Sequence, residues 1–120
     1  KFLQREENGH ISECTNSGLA VTTGEFVCFL DQDDELRPHA LALVASSIVQ
    51  NPGCKLLYSD EATINPSGEL ICPYFKGDWN LYLLRSHNFV CHLAIYSQEL
   101  LRALGGLRSE YIGAQDHDLA

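Results

Sequence analysis

The chain has 120 residues, 45% of them hydrophobic and 20% charged, which is enough to bury the core of one modest domain and the wrong composition for a disordered segment. Its formal net charge of −8 argues against a nucleic-acid partner, because phosphate neutralisation needs clustered Lys and Arg, and against adhesion to an anionic membrane surface. No apolar run approaches the ~20 residues of a membrane span.

In chain order, the charged opening from Lys1 to Gly9 reads as loop. Ser12 is an expected N-cap for a short helix to about Val21, with Gly24 as its stop. Glu25 to Leu30 is short, apolar and rich in aromatic and β-branched residues, the pattern of a buried strand. It runs into Asp31-Gln32-Asp33-Asp34-Glu35, where four of five residues are acidic. Pro38 suits the first turn of a helix from His39 to Gln50, whose Leu41, Val44 and Ile48 share one face. Asn51-Pro52-Gly53 ends that helix.

Lys55 to Ser59 predicts a second strand, and Asn65-Pro66-Ser67-Gly68 the turn of a hairpin. Asp78 is the expected cap of a helix from Trp79 to Arg85. Cys91 to Tyr96 predicts a further strand, and Ser97 caps Gln98 to Leu104 before Gly105 stops it. This alternation predicts an α/β sandwich with a mainly parallel sheet and flanking helices, whose ligands gather at the carboxyl ends of the strands. The five widely spaced cysteines form no Cys-x-x-Cys and read as reduced thiols of a cytoplasmic protein. The chain lacks methionine, so both ends are expected to be cut from something longer.

The acidic run is the sharpest chemical feature. If extended geometry persists past Leu30, Asp31 and Asp33 point the same way, and two such carboxylates repel unless a cation or proton lies between them. Mg2+ or Mn2+ suits that arrangement, taking one or two carboxylates and filling its shell with water and phosphate oxygens. An exposed acidic loop is the bland reading; the apolar strand before it and the proline-started helix after it favour a site. A calcium EF-hand counted from Asp31 fails, because its sixth and twelfth positions hold Leu36 and Ala42. A phosphate enzyme with Asp31 as nucleophile stays open on the cluster alone.

Asn16-Ser17-Gly18-Leu19, Thr23-Gly24-Glu25-Phe26-Val27 and Phe29-Leu30-Asp31-Gln32-Asp33-Asp34 together resemble family 2 glycosyltransferases. Tyr58-Ser59-Asp60-Glu61, Phe75-Lys76-Gly77-Asp78-Trp79-Asn80, Leu104-Gly105-Gly106-Leu107-Arg108 and Gly113-Ala114-Gln115-Asp116 continue the resemblance in order. Two departures stand out: Gly77 where the family often has proline, and Gln115 where it has Glu. The closest subgroup is bacterial enzymes of O-antigen and related surface-polysaccharide synthesis.

The resemblance implies a GT-A fold, and makes residues 1–120 one partial domain that lacks the N-terminal nucleobase-binding strands and the C-terminal helices. It implies transfer of a sugar from a UDP- or dTDP-linked donor to a saccharide or lipid-linked acceptor, with inversion and with Mn2+ or Mg2+. Asn16, Asp31 and Asp33 would face the donor, Asp33 or Asp34 would ligate the cation, and Asp116 would be the general base. Trp79, His92, Gly106 and Gln115 would lie towards the acceptor. The resemblance places the protein in the cytoplasm, in contact with the inner face of the membrane only through regions outside this chain. A non-catalytic module that kept the fold is the other reading.

Overall fold

The computed structural model describes residues 2–120; Lys1 lies outside the described residues. Residues 2–9 carry no helix or strand, and helix α1 (His10–Leu19) follows. Strand β1 (Phe26–Cys28), helix α2 (Ala40–Gln50) and strand β2 (Leu56–Tyr58) come next. Strands β3 (Glu61–Ile64) and β4 (Leu70–Tyr74) form a separate hairpin. Helix α3 (Leu81–Ser86), strand β5 (Ala94–Ser97) and helix α4 (Gln98–Leu104) lead through a 3-10 turn at Ser109–Tyr111 to helix α5 (Gln115–Leu119).

The three-stranded sheet has the order β1-β5-β2. Phe26 pairs with Ser97 and Cys28 with Ile95, while Leu56 pairs with Tyr96 and Tyr58 with Ala94. Both ladders are antiparallel, so the mixed α/β class holds while the expected parallel pairing is corrected. β1 and β2 do run the same way, joined through α2 as a crossover requires. β5 enters between them in the opposite sense, so each finds its hydrogen bonds on β5. The register brings the carboxyl ends of β1 and β2 to the amino end of β5. One edge of the sheet thus collects the residues after Cys28, after Tyr58 and before Ala94.

β5 is buried along its whole length. Its Ala94 and Tyr96 join Leu84, Phe89, Val90, Leu101, Leu107 and Leu119 in one apolar cluster, with Phe89 and Leu101 fully enclosed. Alternation along the strand puts Ala94 and Tyr96 on one face. The Ser97 hydroxyl accepts from the Leu100 N–H at 3.2 Å, capping α4. Gly105 ends the helix with a left-handed φ of 79°, where a side chain would strain the backbone. The Asn65 side chain accepts from the N–H groups of Ser67 and Glu69, both at 2.9 Å, and closes the hairpin turn.

Three local boundaries depart from expectation. α1 starts at His10 rather than at Ser12, whose hydroxyl is buried without a partner. Helix α2 starts at Ala40, with Pro38 in the turn before it. Helix α3 is capped by Asn80, which accepts from the Leu83 N–H at 3.0 Å, rather than by Asp78. Asn and Asp cap equally well, so position decides: Asn80 immediately precedes the first helical residue, Leu81, and Asp78 lies two residues too early.

Candidate functional site

The acidic run leaves β1 and folds at once. The Asp34 N–H donates to the Asp31 carbonyl at 3.2 Å, closing a turn whose ends are neighbours. That turn overrides the strand alternation on which an Asp31 and Asp33 pair was expected. It groups Asp31 with Asp34 instead, and His92, arriving just before β5, completes the cluster. One ligand atom from each of Asp31, Asp34 and His92 lies within 4.8 Å of the others. The His92 Nδ1 is 3.7 Å from an Asp34 carboxylate oxygen. Asp33 is outside this group and lines a neighbouring cleft.

The donor set fits a hard divalent cation. Both carboxylates are exposed and His92 is half-buried, so a bound ion would keep positions open for water or phosphate oxygens. Two carboxylates suit Mg2+ or Mn2+, and the imidazole tilts the set towards Mn2+, the transition metal of the pair.

Two clefts meet the acidic turn. The first, of about 340 Å³, lies between α1 and the end of β1 and is lined by Thr15, Leu19, Phe29, Asp31, Leu107 and Asp116 among others. The second, of about 1050 Å³, lies between the turn and the β3–β4 hairpin, with Asp33, Asp34, Arg37, Tyr74, Phe75 and His92 in its wall. Asp31 therefore belongs both to the acidic cluster and to the cleft that holds Asp116.

Asp116 stands in the first turn of α5. Burial raises its pKa above the ordinary carboxylate value, the His92 imidazole opposes the shift, and the Asp31 charge adds to it. Gln115 beside it is buried; its side-chain oxygen accepts from the Gly113 N–H at 2.7 Å, and its amide nitrogen lies 3.5 Å from an Asp116 carboxylate oxygen. The amide adds no charge beside that carboxylate. Asp118, two residues on, is paired with Arg108 and so is occupied elsewhere. The Cys91 thiol is pushed up to about 12 by burial first and by Asp116 next, so it stays protonated at neutral pH and is no nucleophile.

The remaining sequence candidates fall away from this centre. The Asn16 amide donates to the Leu107 carbonyl at 2.8 Å, and its oxygen accepts from the Leu107 N–H at 2.9 Å. Both polar ends of Asn16 thus tie α1 to the segment after Gly106, and Asn16 lines neither cleft. Gly106 has a φ of 81°, and a Cβ there would come within 2.4 Å of the Asn16 side-chain oxygen, so its role is close approach. Trp79 is half-exposed and tilts against Phe89 at 6.2 Å between ring centres; it too lines neither cleft. Sequence reasoning placed His92 towards the acceptor and did not single out Glu61 or Lys76. The carboxylate after β2 in Asp60-Glu61 was the available signal, since that strand end shares an edge with Asp31.

The model of the family described as glycosyl transferase family 2 matches residues 1–105, a span that holds the Asp31, Asp34 and His92 cluster. The chain is 42% identical over 119 residues to the O-antigen biosynthesis protein RfbC of Myxococcus xanthus, covering 99% of the chain and 9% of that protein. It is 40% identical over 119 residues to the uncharacterized protein y4gI of Sinorhizobium fredii, covering 99% of the chain and 13% of that protein. It is 22% identical over 118 residues to the chondroitin synthase of Pasteurella multocida, covering 98% of the chain and 12% of that protein. The chain thus spans only about a tenth of the length of the curated relatives it matches. A match over most of the chain is decisive: it belongs to glycosyl transferase family 2 and has the GT-A fold of that family.

Proposed function

We propose that this chain forms part of the donor and catalytic site of an inverting glycosyltransferase that takes its sugar from a nucleoside diphosphate and serves surface-polysaccharide synthesis. The observation that carries the proposal is the convergence of Asp31, Asp34 and His92 at the sheet edge, next to a cleft that Asp31 shares with Asp116. Asp31, Asp34 and His92 would hold Mn2+ or Mg2+, which when bound supplies positive charge for the diphosphate leaving group.

The chain's own residues would do the rest. An acceptor hydroxyl in the first cleft gives its proton to the Asp116 carboxylate as its oxygen bonds to the anomeric carbon. The bond from that carbon to the diphosphate oxygen breaks on the opposite face, the electron pair leaves with the diphosphate, and configuration inverts. The raised pKa of Asp116 makes it a stronger base than an ordinary carboxylate. Gln115, bonded back to Gly113, steadies the chain beside it. Asp33, lining the second cleft with Arg37 and Tyr74, faces space suited to the donor or acceptor sugar. Among the described residues no helix is long and apolar enough to cross a membrane.

The test is calorimetric titration of UDP and dTDP into the full-length protein with and without Mn2+. Binding of one nucleotide that depends on the cation supports the reading. Absence of binding by either, with the cation present, sinks it and leaves a module that kept only the fold.

A further inference from the structure

His92 is held from behind by a pair of charges that the reaction does not use. Lys76 follows β4 and has a side chain only 1% exposed. Its ammonium has three N–H donors and three oxygens around it: Glu61 at 3.1 Å, the His92 carbonyl at 2.8 Å and the Val90 carbonyl at 3.4 Å. The same Glu61 oxygen accepts from the His92 N–H at 2.5 Å. The peptide groups on both sides of the His92 side chain are thus gripped by one ion pair. The adjoining residues tighten the grip. An Asp60 carboxylate oxygen accepts from the Lys76 N–H at 2.8 Å, and the Ser59 N–H donates to the Leu93 carbonyl at 3.1 Å.

Only the Lys76 half of this pair is buried, and such a pair is a poor device for stability, because desolvation of the ammonium offsets the attraction. Its use lies in holding one arrangement against others, and here the arrangement held is the backbone that aims His92 at Asp34. We propose that the Lys76–Glu61 pair is the positioning device for His92, so that Lys76 and Glu61 set the affinity of the Asp31, Asp34 and His92 cluster for a divalent cation without touching it. This rests on the cation reading above. Partners standing behind a metal-ligating histidine typically alter metal affinity by ~10–100-fold.

The experiment uses the full-length protein and its Lys76→Met, Glu61→Gln and His92→Ala variants, with Lys76→Met also combined with His92→Ala. Glu61→Gln keeps an acceptor for the His92 N–H and guards against a Lys76→Met chain that does not fold. Two quantities are read: Mn2+ affinity, and hydrogen exchange over residues 90–93 by mass spectrometry. The expected result is faster exchange at 90–93 in both single variants of the pair. Mn2+ affinity should fall by about tenfold or more in Lys76→Met, with no further fall when Lys76→Met is added to His92→Ala. Exchange at 90–93 that stays at the parental rate overturns the proposal. So do losses from Lys76→Met and His92→Ala that multiply in full, since they would act independently. Unchanged Mn2+ affinity in His92→Ala itself overturns the cation reading and the affinity half of the proposal; exchange then decides the positioning half alone.

Discussion

Asp116 carries two consequences that a single substitution separates. Its carboxyl titrates above the ordinary range because burial opposes the charge, with Asp31 adding to that and His92 opposing it. In the proposed role of base it must be ionised, so the acid limb of the kcat profile should lie above the ~3.9 of a free aspartate. Asp116→Asn should lower kcat by ~10²–10⁴-fold and abolish that limb. The sign for stability is opposite. A folded-state pKa raised above the unfolded value gives stability that is full below the unfolded pKa and lost as pH rises through the folded pKa. Thermal melts should therefore find Asp116→Asn at least as stable as the parent at pH 7, with the advantage shrinking as pH falls through the raised folded pKa and gone below the ordinary carboxylate value. Gly106 gives a contrasting residue-scale test. Alanine there adds a Cβ 2.4 Å from the Asn16 oxygen at a φ of 81°, and should cost about 1–3 kcal/mol in a denaturant titration.

At the scale of elements, α2 and β5 are opposites. β5 is buried throughout, while α2 has no fully buried residue and leaves Leu41, Leu43 and Val49 exposed. Local opening is easiest where few apolar contacts must break, so amides of α2 should exchange before those of β5 in a hydrogen-exchange time course. Equal protection of the two would contradict this packing. The elements whose signals are local were legible in the sequence. Ser97 and Gly105 bound α4 as expected, and Asn65 to Gly68 makes the hairpin turn. What the sequence hides is pairing, because hydrogen bonds between distant strands leave no mark at either one. The expected mainly parallel sheet is instead antiparallel at both ladders, with β5 between β1 and β2, and no pattern in Ala94 to Ser97 announces its direction. The site shows the same division. Asp31 and Asp116 stand out in the sequence as candidate carboxylates and the structure places both in one cleft, whereas the grouping of Asp31 with Asp34 depends on a turn, and the arrival of His92 depends on the register of β5.

For the whole molecule, charge and topology act together. The sheet register gathers Asp31, Asp34, Glu61 and His92 at one edge, within a chain of net charge −8. Such a field repels a nucleoside diphosphate and concentrates cations. The diphosphate should therefore bind only after the cation, and added monovalent salt should weaken Mn2+ binding as it screens the field. The apolar cluster around Phe89 and Leu101 supplies the rigid floor on which this edge is built.

The most direct test is the Mn2+ affinity of the full-length protein beside its Asp34→Asn and Asp33→Asn variants, read by water-proton relaxation. The geometry predicts that Asp34→Asn weakens binding by more than about tenfold, as loss of a ligand or its partner does, and that Asp33→Asn binds nearly as the parent does. The reverse order, with Asp33→Asn losing the ion and Asp34→Asn keeping it, would contradict the cluster on which the proposed site rests.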